Sequence, residues 1–132
     1  MTSPRVGAYV DPVQLVVDWL EAQLVDPVIR VRTRLPDTIT EDTIWVAYAG
    51  GGSAGDNVLP RVDLQSFRPG GEGDAQEVAK RGHNAMRALG GQTVNGQAVD
   101  NVDVWSWPAG QFWSPTVDRV IATYELDLPV YI

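Results

Sequence analysis

The sequence predicts an α+β fold: a mixed, mainly antiparallel β-sheet with two helices packed on it, in the order α-β-β-β-α-β-β. Three observations predict it. Two segments place apolar residues at helical spacing behind an acidic capping residue; five others are extended runs rich in β-branched, apolar and aromatic residues, several alternating with period two. Glycine, proline and asparagine clusters separate them.

The first helix starts at Asp11-Pro12-Val13-Gln14, with an acceptor side chain at the N-cap, proline at the first helical position and glutamine three residues after the cap. Val13, Val16, Val17, Leu20 and Leu24 form its apolar stripe, and Asp26-Pro27 breaks the pattern. In the run 29–36, Ile29, Val31, Thr33 and Leu35 fall on one side of a strand and Arg30, Arg32 and Arg34 on the other. Pro36-Asp37-Thr38 turns the chain into a second strand, 43–49, apolar on both faces and so expected in a central position. Gly50 to Asp56 reads as a flexible excursion, making the hairpin with the third strand, 57–67, long and mobile at its tip.

A second breaker cluster, Arg68-Pro69-Gly70-Gly71-Glu72-Gly73, leads to Asp74 as N-cap with Glu77 three residues on. Ala75, Val78, Ala79, Gly82, Ala85, Met86 and Leu89 then share one helical face, whose small residues allow close approach to the sheet, and Gly90-Gly91 ends the helix. Asn95-Gly96 signals a hairpin. Residues 102–107 read as a strand bounded by Pro108, with Asp103, Trp105 and Trp107 on one face. The last strand, 117–128, alternates Val120, Ala122, Tyr124 and Leu126 with Ile121, Thr123, Glu125 and Asp127.

At 132 residues the chain is expected to be one domain over 1–132, with 1–9 as a flexible N-terminal arm. It has no cysteine, which excludes disulfides, thiolate metal sites and thiol nucleophiles. No signal-peptide core and no apolar stretch of bilayer length is present, so a soluble protein made in the cytoplasm is expected. A net charge of -7 and a pI near 4.4 work against nucleic-acid binding, which concentrates positive charge over a whole face.

Within that acidic background the arginine face stands out. Three guanidiniums in a row repel one another unless carboxylates, phosphates or a partner chain lie opposite, and Asp63 and Asp103 in other strands are candidate mates, within the chain or across subunits. Trp105 and Trp107 suit an interface or a local core about equally. His83, the sole histidine, reads as a solvated or capping residue rather than a catalytic one. The acid pairs Asp100 with Asp103 and Glu125 with Asp127 read as solvated carboxylates, and neither glycine cluster has the lysine and hydroxyl of a P-loop.

Taken together, the first helix, the Val31-Arg32-Thr33-Arg34-Leu35-Pro36 run, the glycine-interrupted hairpin, the alanine-rich second helix and the strand from Trp113-Ser114-Pro115 to Leu128 resemble the tail terminator proteins of long-tailed phages. The form found in phages of actinobacteria is the nearest likeness. The resemblance implies a structural virion protein, not an enzyme, with no catalytic residue, metal or cofactor. Such a subunit forms a six-membered ring with copies of itself on the head-proximal end of the tail tube, stops tube polymerisation and presents a surface to the head-completion or neck protein. Its partners would be itself, the major tail tube protein and the neck protein. DNA would pass through the ring without specific binding, and no membrane is involved. The place would be the virion tail, assembled in the host cytoplasm.

On this basis Arg30, Arg32, Arg34, Trp105 and Trp107 are candidate subunit-interface residues. Gly51, Gly52, Ser53, Asp56, Arg68, Gly71 and Glu72 are candidate loops that order against the tube or neck. A neck or head-closure connector is the alternative within the same class, and a small ligand-binding domain using the Trp105/Trp107 surface the alternative outside it.

Overall fold

The computed structural model describes residues 11–70 and 74–129; the arm 1–9, Gly71 and Glu72 lie outside the described residues. Its elements are α1 (Pro12–Gln23), β1 (Arg30–Arg32), β2 (Thr43–Ala54), β3 (Asn57–Pro69), α2 (Ala75–Leu89), β4 (Thr93–Val94), β5 (Gln97–Ala98), β6 (Asn101–Ser114) and β7 (Val117–Pro129). The five-stranded sheet runs β1-β2-β3-β7-β6. β1 lies parallel to β2, and every other pairing in it is antiparallel. The fold is α+β in the expected order, with β4 and β5 as a small separate hairpin turned by Asn95 and Gly96, both at positive φ as a type I′ turn requires.

Both helices cover one face of the sheet. Leu15, Val16, Val17 and Leu20 of α1 and Val78, Ala85, Met86 and Leu89 of α2 join Ile44, Val46, Val62, Leu64, Ala122, Tyr124 and Leu126 in one core. Each large aliphatic side chain fully removed from water there contributes about 1.5–3 kcal/mol. Both caps act as expected: the Asp11 carboxylate accepts from the Val13 and Gln14 amides, and Asp74 accepts from the Gln76 amide. The Trp19 indole donates to the Ala85 carbonyl at 2.8 Å, tying α1 to α2.

Several expectations are corrected. First, the glycine segment is not a mobile tip. β2 runs through Gly51, Gly52 and Ser53 to Ala54, and only Gly55 and Asp56 form the turn, Gly55 at φ +61°. A bulge between Tyr48 and Gly51 explains the glycines. The bulge lies opposite Arg61, and beyond it Gly51, in register with Pro60 and at φ +148°, lets the two backbones approach where any Cβ would collide.

Second, β3 continues through Arg68, so that residue belongs to a strand and not to a breaker loop. Third, Pro108 does not end β6. The strand carries on to Ser114 as an edge, where proline's missing N–H costs little, and it is irregular between Val104 and Ser106, Ser106 and Ala109, and Gln111 and Ser114. β1, in contrast, is shorter than the arginine run. Beyond Arg32 the Trp45 indole donates to the Thr33 carbonyl, taking a group that a longer ladder would use, and Arg34 lies outside the strand. β2 is accordingly interior only along its first three residues.

Candidate interaction surface

The face of the sheet away from the helices carries Trp45, Arg61, Asp63, Gln65, Thr123 and Glu125, all half-buried. Polar groups there are paired within the chain. Arg61 contacts Glu125 at 3.1 Å and the Thr123 hydroxyl donates to Asp63 at 2.6 Å. Within the chain Asp63 does not answer the arginine run: it makes no ion pair among the described residues and accepts instead from Thr123, directly opposite on β7.

Trp105 and Trp107 do not share a face. The bulge between Val104 and Ser106 inserts one residue and shifts the alternation. Trp105 ends on the open face with the Arg61 guanidinium 3.6 Å from its ring centroid, whereas Trp107 lies over His83 of α2, centroid to centroid 4.8 Å. Both remain largely open, at 54% and 61% exposure, as do Phe112 at 80% and Trp113 at 41%. Four large aromatics thus line one edge strand of the sheet, an apolar concentration typical of contact surfaces.

His83 is buried, not solvated. Gly82 brings α2 close to Ile44 and Leu64, so the next side chain is pressed between Tyr124 and Trp107. Its Nδ1 lies 2.7 Å from the Tyr124 hydroxyl, and Nε2 has no partner among the described residues. Burial, helped by the Arg87 charge, holds the imidazole below its ordinary pKa, and burial pushes the Tyr124 phenol up. The Tyr124 bond and the Trp107 contact tie α2 to β7 and β6.

Nor are the acid pairs simply solvated. Glu125 is tied to Arg61, and Asp100 and Asp127 both accept from the Asn57 amide at the sheet's end. No group of three or more potential metal ligands occurs among the described residues. At the far end of β6, Arg119 lies 4.8 Å from the Trp113 ring centroid and donates to the Phe112 carbonyl, and Trp113 meets Phe67 edge-on. This end and the N-terminus of α2 border a depression of about 300 Å³ lined by Asp74, Gln111, Phe112, Asp118 and Arg119 among others. Sequence reasoning missed it, because nothing local links Asp74 to Gln111.

At the opposite edge, Arg30 pairs with Glu41 at 2.9 Å, while Arg32 and Arg34 are exposed and make no ion pair among the described residues. Arg68 is spoken for: its fork takes both oxygens of Asp42, at 3.1 and 2.9 Å, and its other nitrogen reaches Glu77 at 2.7 Å. These partners, Asp42 first, raise its pKa further. Gly52, Ser53 and Asp56 are exposed along the β2–β3 hairpin end.

No helix among the described residues is long and apolar enough to cross a membrane. No family model and no curated protein matches the chain. A solved structure does: it superposes with a TM-score of 0.56 at 16% identity, over 90% of this chain and 91% of its own. At that identity the likeness concerns the fold, and it extends the α+β arrangement over nearly the whole length of both chains.

Proposed function

We propose that this chain is a tail terminator of a long-tailed phage, as its resemblance to those of actinobacterial phages suggests. It forms a ring with copies of itself on the head-proximal end of the tail tube, halts tube polymerisation and offers the joining surface to the head. The observation that carries this is the aromatic edge. Trp105, Trp107, Phe112 and Trp113 stay open along β6 in a chain of only 132 residues, which suits a subunit whose surface is completed by neighbours. The acidic balance suits a channel through which DNA slides without being held.

Electron microscopy of the purified protein mixed with tail tubes tests the proposal. Rings capping one end of each tube are expected, and added terminator should stop tube growth. Rings that bind portal or neck particles but ignore tubes would make the chain a head-closure connector instead, and a monomer indifferent to both would overturn the structural reading.

A further inference from the structure

The two edges of the main sheet differ in charge as well as in shape. Residues 27–36, at the β1 edge, hold three arginines and no acid; residues 88–118, which include β6, hold Asp100, Asp103 and Asp118 and neither lysine nor arginine. Arg32 and Arg34 at one edge and Asp103 at the other are exposed and make no ion pair among the described residues. Arg32 is opposite Trp45 in the ladder and Asp103 is opposite Glu125, so both stand on the face that the helices leave open.

We infer that the β1 edge of one copy docks on the β6 edge of the next, with Arg32 and Arg34 received by Asp103 and Trp105. This deepens the ring reading and rests on it. The contact is heterologous: each copy offers one edge of each kind, so repetition closes a ring when the rotation allows. Because Arg32 and Asp103 lie on the same sheet face, successive copies keep that face on one side of the ring. Trp105 already accepts the guanidinium of Arg61 over its ring and is half open, so its environment suits a second arginine.

Side chains carry the contact. β1 is three residues long, and β6 is interrupted by three irregularities and Pro108, so neither edge invites a long added ladder.

The chain lacks cysteine, which makes trapping clean. In the full chain carrying Arg34→Cys and Asp103→Cys, mild oxidation should give a ladder of disulfide-linked oligomers on a non-reducing gel. Arg34→Cys alone should stop at dimers. No ladder, in a preparation that forms rings on tubes, overturns the contact and leaves the terminator proposal standing; a ladder without tube capping supports the contact and overturns the terminator.

Charge exchange gives an independent answer. R32E/R34E and D103K should each weaken self-association by about 100-fold, since like charges then face each other. An equimolar mixture should recover most of it, because every contact between unlike copies is again opposite in sign. Failure of the mixture to recover overturns the assignment, even if each variant alone is impaired.

Discussion

Gly82→Ala isolates the contact that sets how closely α2 lies on the sheet. Alanine is favoured over glycine in a helix interior by about 1 kcal/mol. Against this, a Cβ at position 82 would sit 2.9 Å from Ile44 Cδ1 and 3.4 Å from Leu64 Cδ2, where carbon atoms prefer about 3.5–4.0 Å. Ile44 is fully buried and cannot swing into solvent, so the insertion forces an off-rotamer side chain or a helix shift, typically about 1–3 kcal/mol. The net expectation is a loss of about 0–2 kcal/mol.

Ile44→Val removes the colliding Cδ1 and alone costs about 0.5–1.5 kcal/mol. In that background Gly82→Ala should instead stabilise, by about 1 kcal/mol, since the helix gain survives and the remaining Leu64 contact, at 3.4 Å, is at the edge of ordinary packing. The coupling between the two changes is then about 1–3 kcal/mol. Equilibrium urea unfolding at one fixed protein concentration, followed by the fluorescence of the five tryptophans, measures all four corners of the cycle. Additivity within about 0.5 kcal/mol would refute the close packing of α2 on Ile44.

Two further predictions concern the bulge and the buried histidine. Gly51→Ala should cost at least about 2 kcal/mol, because its φ is +148° and the new Cβ would lie 2.6 Å from Pro60 Cα, whereas Gly52→Ala meets nothing within 4 Å and should stay within about 0.5 kcal/mol; thermal melts that rank them the other way would sink the bulge account. For His83, the folded pKa lies below the ordinary 6.5, so between the two values the unfolded chain binds more protons than the native one. Stability from its neutral form is full above pH 6.5 and is lost as pH falls from 6.5 toward the depressed native value. Any advantage of wild type over His83→Gln in urea midpoint should therefore shrink between pH 8 and pH 5.5, and a gap that stays constant would count against the buried neutral imidazole.

Local signals identified nearly every element. Asp11-Pro12 and Asp74 capped helices where expected, Asn95-Gly96 turned its hairpin, and period-two alternation separated the buried Val120, Ala122, Tyr124 and Leu126 from their half-open neighbours. Such features depend on residues within one turn or two of one another, which is why they are legible in the chain.

The surface was less legible, because it depends on what lies across the sheet. Glycines 50–52 look like a loop in sequence and become strand because, past a bulge opposite Arg61, Gly51 and Gly52 pair with Pro60 and Leu59 on the next strand, where Gly51 leaves room for the close approach. Trp105 and Trp107 look co-facial and part company because one inserted residue in an edge strand inverts the alternation. His83 looks exposed and is buried because Gly82 draws the helix down and Trp107 closes over it.

Local residue patterns thus specify which segments are helix and strand, which of their faces are apolar, and that an acidic chain carries an isolated run of arginines. That Arg32 and Arg34 lie at one edge of the sheet and Asp103 with its tryptophans at the other emerges from the folded arrangement. Strand order joins residues far apart in sequence, and no periodicity within a strand encodes which strand lies beside it.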